Sequence, residues 1–102
     1  MKKKAKKKVV KEYFVYRLEF ANSVYFGFTT NLSKRKEQHK KKWEDAFNFV
    51  PLYKYSSRGS ALFMETFLTC ETIVNMGRKF VRNEYIGRFS IPTTNFELGV
   101  TL

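Results

Sequence analysis

The stretch from Tyr13 to Thr29, YFVYRLEF-ANS-VYFGFT, decides how this chain folds. Residues 13–20 alternate and are rich in aromatics, the signature of a half-buried strand. Ala21-Asn22-Ser23 is a short turn, and residues 24–29 repeat the strand pattern, so the segment reads as a β-hairpin. Gly27 inside the second strand is costly unless something approaches the backbone closely there or the strand bulges.

Beyond the hairpin, Thr30 or Asn31 caps a helix running from Leu32 to about Lys42. That helix is strongly polar. Only Leu32, the stems of Arg35 and Lys36, His39 and Trp43 are suited to its inner edge, which suggests a site more than a core. Residues 43–48 lead to a third strand over 49–56, with Pro51 favouring a sheet edge or the strand's start. Ser57-Arg58-Gly59-Ser60 is a turn, Ser60 caps a second helix from about Ala61 to Met76, and Gly77 stops it. Leu62, Phe63, Phe67, Cys70, Ile73, Val74 and Met76 should form its buried stripe, with Cys70 a small filler. Residues 80–96 are ambiguous between a short strand and loops. The order β-β-α-β-α defines a small α+β fold, a three-stranded antiparallel sheet flanked by helices.

A chain of 102 residues holds one such domain, here 12–102 behind a lysine-rich tail of residues 1–11. Hydrophobic residues at 43% and aromatics at 18% suffice for a packed core. Apolar runs are broken by charges, short of the roughly 18 residues of a membrane helix. The basic start is not followed by an apolar signal segment, because Lys11, Glu12, Arg17 and Glu19 interrupt it. A cytoplasmic protein without a membrane partner is expected, in the host cytoplasm if phage-encoded. Cys70, the sole cysteine, leaves no disulfide within the chain and no cysteine-rich zinc site.

The net charge of +11 points to a polyanion. Residues 1–11 carry seven lysines and no acid, while the rest carry thirteen bases and nine acids. Lys2, Lys3, Lys4, Lys6, Lys7 and Lys8, with Lys34 and Lys36 on the first helix, would give salt-sensitive, sequence-blind attraction to a phosphate backbone. The plainer reading of the tail is solubility or localisation.

Four residues apart, Arg35 and His39 share one helical face and can converge on a phosphate; a packing or capping role suits His39 equally. Glu65 lies among Phe63, Met64, Thr66 and Phe67, where a buried carboxylate needs a partner, either a metal or Arg35. Glu71 is the rival carboxylate, offset to point away from Glu65.

Phe14-Val15-Tyr16 and Tyr25-Phe26-Gly27, followed by Arg35, His39 and Ala61-Leu62-Phe63-Met64-Glu65, resemble the signature of the GIY-YIG nucleases. Met76-Gly77-Arg78-Lys79-Phe80-Val81-Arg82 is similar to a G-x-x-x-V-R stretch of some viral and phage members. The resemblance spans about residues 13–85 and rests on order and spacing. It departs from the family pattern in Phe14, where Gly is usual, and in Phe26, where Ile is usual. It implies a divalent-metal-dependent endonuclease that hydrolyses phosphodiester bonds, in DNA first of all and with little sequence discrimination. In that reading Glu65 holds a single Mg²⁺ or Mn²⁺, Tyr16 is the general base toward water, and Tyr25 orients the phosphate or the water. Arg35 and His39 bind the phosphate, and a late Asn supports the site: Asn83, with Asn75 and Asn95 as rivals. The alternatives are a catalytically inactive nucleic-acid-binding module, such as an accessory or inhibitor protein on the same fold, and a basic structural protein. The oligomeric state, monomer or transient dimer, stays open.

Overall fold

A computed structural model describes residues 11–84 and 100–102 of the chain. The elements are β1 (Tyr13–Glu19), β2 (Val24–Thr29), α1 (Leu32–Lys42), β3 (Asn48–Tyr55), α2 (Arg58–Met76), a 3₁₀ turn (Arg78–Phe80) and β4 (Val100–Thr101). β1 and β2 form the expected antiparallel hairpin, in a register that sets Tyr16 opposite Gly27 and Leu18 opposite Tyr25. β3 pairs antiparallel with the other side of β1, completing the three-stranded sheet. The two-residue β4 then adds to the far side of β3, giving the order β2-β1-β3-β4.

Alternation along β1 divides the core in two. Val15 packs with Tyr55 and with Ala61, Met64 and Leu68 of α2. Tyr16, Leu18 and Phe20 face the other way, toward Leu32, Trp43, Phe47 and Phe49. Pro51 sits where the β1–β3 register shifts, Val15 pairing with Tyr53 but Tyr16 with Pro51. This is a bulge, a place in an interior strand where a residue without an N–H is tolerated. Through the shift, Phe49 packs on the Tyr16 side while Tyr53 and Tyr55 pack on the α2 side.

Asn31 is the α1 N-cap, its side chain accepting from the Lys34 N–H at 3.0 Å. α2 begins one turn earlier than the sequence suggests. Ser57, not Ser60, is its cap, accepting from the Ser60 N–H at 3.3 Å, so Gly59 and Ser60 lie in the first turn. Gly77 ends α2 with φ +101°, a conformation that favours glycine.

The α2 stripe is a correction. Phe67 is 48% exposed and Val74 82%, and Cys70 and Met76 are also exposed, whereas Ser60, Ala61, Thr66 and Thr69 are buried. The side toward the sheet combines these small residues with Met64 and Leu68, while Leu62, Phe63 and Ile73 of the expected stripe are half-buried.

The open edge of β2 is covered by the segment after α2. Val81 bridges Val24 in parallel, and the Arg82 N–H donates to the Val24 carbonyl at 2.8 Å. Arg82 then clasps the α1–β3 connector, donating twice to Asp45 (3.0 and 2.6 Å) and once to Ser23 Oγ (2.6 Å) while stacking on Phe20. The Arg82 hydrogen bond lowers the pKa of the Asp45 carboxyl. Among the described residues no helix is long and apolar enough to cross a membrane.

Candidate active site

Gly27 accounts for the position of Tyr16. A Cβ on Gly27 would lie 2.5 Å from the Tyr16 hydroxyl oxygen and 2.7 Å from Cζ, so only a residue without a side chain lets the phenol lie over β2. The Tyr16 ring stacks on Phe49 with centroids 4.8 Å apart, and the residue is fully enclosed, 0% exposed. Its oxygen meets His39 Nε2 at 2.8 Å and accepts from Arg35 Nη1 at 3.3 Å. Burial raises the phenol's pKa well above its ordinary value, and the Arg35 hydrogen bond offsets only part of that rise. An oxygen so placed faces Gly27, His39 and Arg35.

His39 is 5% exposed, between Tyr16 and Tyr25, with ring centroids 5.6 and 5.2 Å away. Its Nδ1 accepts from the Trp43 indole N–H at 3.1 Å. Burial, then the nearby charges of Arg35 and Lys42, push its pKa down to about 4, so the ring is neutral at pH 7. Joint phosphate binding by Arg35 and His39 is therefore corrected. Although they share a helix face, His39 is walled in by aromatics and uncharged, while Arg35 reaches the surface. Beyond Tyr16, the Arg35 guanidinium touches only the Phe28 carbonyl, at 3.4 Å, among the described residues. It lines a hollow of about 300 Å³ with Thr29, Lys34 and Gln38.

Tyr25 and Glu65 open onto a cleft of about 410 Å³ whose walls also include Lys42, Trp43, Arg82, Asn83 and Glu84. Tyr25 is half-buried, and burial followed by the Glu65 charge raises its pKa. The Glu65 carboxylate has no hydrogen bond or ion pair among the described residues, so Arg35 is not its contact partner. Burial lifts its pKa to about 7, moderated by the charges of Arg35 and Arg58. A half-buried hard-oxygen donor with no partner among the described residues, on a cleft wall, is a group that could hold a single Mg²⁺ or Mn²⁺. Glu84 is the other carboxylate lining the same cleft; among the described residues no three His, Cys, Asp or Glu side chains gather to form a protein-only metal cage.

Asn83 is 6% exposed and pairs with β2 as a strand would, accepting from the Phe26 N–H at 2.9 Å and donating to the Phe26 carbonyl at 2.7 Å. It anchors the strand between Tyr25 and Gly27. Asn75 is exposed at the end of α2, and Asn95 lies outside the described residues, as do Lys2, Lys3, Lys4, Lys6, Lys7 and Lys8. Lys34 lines the Arg35 hollow, whereas Lys36 borders a separate one with Lys40, Glu44 and Asp45.

Sequence reasoning missed Trp43, Lys42, Arg82 and Glu84 as site residues. Lys42 was findable, because it lies seven residues after Arg35 and so on the same helix face. Its Nζ sits 4.8 Å from the Trp43 ring centre and 6.0 Å from that of Tyr25. Arg82, Asn83 and Glu84 reach the cleft only because the chain folds back along β2, which no local pattern announces.

Compared with family models, with curated proteins and with solved structures, the chain finds no match.

Proposed function

We propose that the chain is a divalent-metal-dependent endonuclease of the GIY-YIG type, cutting phosphodiester bonds in nucleic acid, DNA before RNA, with little sequence discrimination. The observation that carries this reading is the Glu65 carboxylate, without a hydrogen bond or ion pair among the described residues, lining one cleft with Tyr25, Lys42 and Arg82, while Arg35 lines a second hollow. A Mg²⁺ or Mn²⁺ ion on Glu65 would supply charge neutralisation at the phosphoryl oxygens. Arg35 offers the rest of its guanidinium fork to a phosphate, and Lys42 adds a mobile cation at the cleft mouth. Tyr25, on the cleft wall, would hydrogen-bond the attacking water; to take that water's proton it would first have to lose its own to solvent, and a cation on Glu65 would favour that ionisation against the rise that burial imposes. Tyr16 stands behind it as the buried partner of Arg35 and His39, so the general-base part moves from Tyr16 to Tyr25. The lysine tail would supply non-specific grip.

The second reading is a binding module without cleavage, favoured by Phe14 where the family pattern has Gly. End-labelled duplex and single-stranded oligonucleotides separate the two. Cutting in Mg²⁺ or Mn²⁺ that stops in EDTA and in Tyr25→Phe supports the nuclease. Retarded bands on a gel with intact strands under every metal support the module.

A further inference from the structure

We infer that Trp43 is a positioning residue for this site: its indole N–H fixes His39 in the Nε2–H tautomer, so that His39 donates to the Tyr16 oxygen and does not accept the Tyr16 proton. The consequence for activity rests on the nuclease reading above; the tautomer does not.

An indole nitrogen can only donate, so the contact from Trp43 Nε1 to His39 Nδ1 requires Nδ1 to present a lone pair. The ring carries one proton, because it is enclosed by Tyr16 from β1, Tyr25 from β2 and Phe47 from the connector, with Arg35 and Lys42 of its own helix as the charged groups around it. That proton must then be on Nε2, and the atom facing Nε2 at 2.8 Å is the Tyr16 oxygen. Arg35 Nη1 donates to the same oxygen. Tyr16 therefore accepts twice, and its own O–H finds no acceptor among the described residues. The opposite tautomer would give the Tyr16 O–H an acceptor at Nε2. It would also set an N–H of His39 against the N–H of Trp43 at 3.1 Å, leaving both without acceptors.

The indole is held firmly enough to decide between these states. Trp43 is the C-cap of α1, and its backbone N–H donates to the His39 carbonyl at 2.9 Å, so the two residues are joined twice. Lys42 lies over the indole at 4.8 Å and the Arg82 guanidinium at 5.3 Å. His39 is thus a donor that holds the Tyr16 oxygen over Gly27, and Trp43 keeps it a donor.

His39 is the chain's only histidine, so its ring nitrogens are read without assignment by long-range proton–nitrogen correlation in labelled protein. In the wild type Nε2 should resonate as a protonated nitrogen and Nδ1 as an unprotonated one; a protonated Nδ1 overturns the inference whether or not the protein cuts DNA. Trp43→Phe keeps a ring in place and removes the N–H. It should raise the population of the Nδ1–H form and slow cleavage by about 10- to 100-fold, the range for partners that orient a site group. A folded Trp43→Phe with the wild-type tautomer also overturns the inference. Wild type that shows the Nε2–H form but cleaves nothing would sink the nuclease reading and leave the tautomer standing.

Discussion

Half-buried Glu65 and buried His39 are ionisable residues whose linkage to folding runs in opposite directions. Glu65, with a pKa raised to about 7 from 4.5, is protonated in both folded and unfolded chains at low pH. As pH rises from 4.5 to 7 the unfolded chain loses that proton first, so this residue's contribution to stability falls across that window. Glu65→Gln should therefore be more stable than wild type by about 2 kcal/mol at pH 8, once partial solvent access is discounted, and equal to it near pH 4 in denaturant titrations. His39, lowered to about 4 from 6.5, does the reverse. Its contribution is complete above pH 6.5 and is lost as pH falls toward 4, because the unfolded chain takes up a proton that the enclosed ring refuses. Gly27 tests packing instead of charge. Gly27→Ala drives a methyl into the Tyr16 phenol and should cost about 1–3 kcal/mol in urea unfolding, with loss of cleavage as Tyr16 moves. A glycine inside a strand left a close approach and a bulge as alternatives; the fold decides for the approach and identifies the group as the Tyr16 side chain.

Among the elements, the hairpin and α1 were the most legible, because alternation, an Asn cap and a polar helix all signal within a few residues of themselves. α2 was located correctly but its facing was misread. Phe67, Val74 and Met76 belong to the expected apolar stripe, yet they lie exposed, and the buried side of α2 is made by Ala61, Thr66 and Thr69 with Met64 and Leu68 beside them. The choice depends on how closely the helix must approach a sheet already crowded with Tyr13, Tyr53, Tyr55 and Phe28, and that is a tertiary property. The segment after α2 was the least legible, since its bonds to β2 join residues almost sixty positions apart. Asn83 is where this matters most. Asn83→Ala removes two bonds and leaves the Phe26 N–H and carbonyl unpaired at the edge, which should cost about 2–4 kcal/mol. Hydrogen exchange should show it as faster opening of β2 relative to β3, while an Asn83→Ala protein with unchanged β2 protection would mean the edge is held by Val81 and Arg82 alone.

For the whole molecule, the proposed function divides the charge between a grip and a site. Removing residues 2–8 takes away six lysines and should weaken binding to all sequences alike, while flattening the dependence of affinity on salt. It should leave the metal requirement untouched. In the proposed function, metal binding would be coupled to protonation, because Glu65 would have to shed a proton to serve as a ligand. Mn²⁺ should therefore raise the melting temperature more at pH 8 than at pH 6, and not at all in Glu65→Gln. The central claim is that the cleft at Tyr25 and Glu65 hydrolyses phosphodiesters, and conversion of supercoiled plasmid to open circles tests it most directly. Wild-type protein should nick in Mg²⁺ or Mn²⁺ and stop in EDTA, and Glu65→Ala should be inactive in every metal. Nicking that persists at the wild-type rate in Glu65→Ala, or none by the wild type in either metal, would contradict the account.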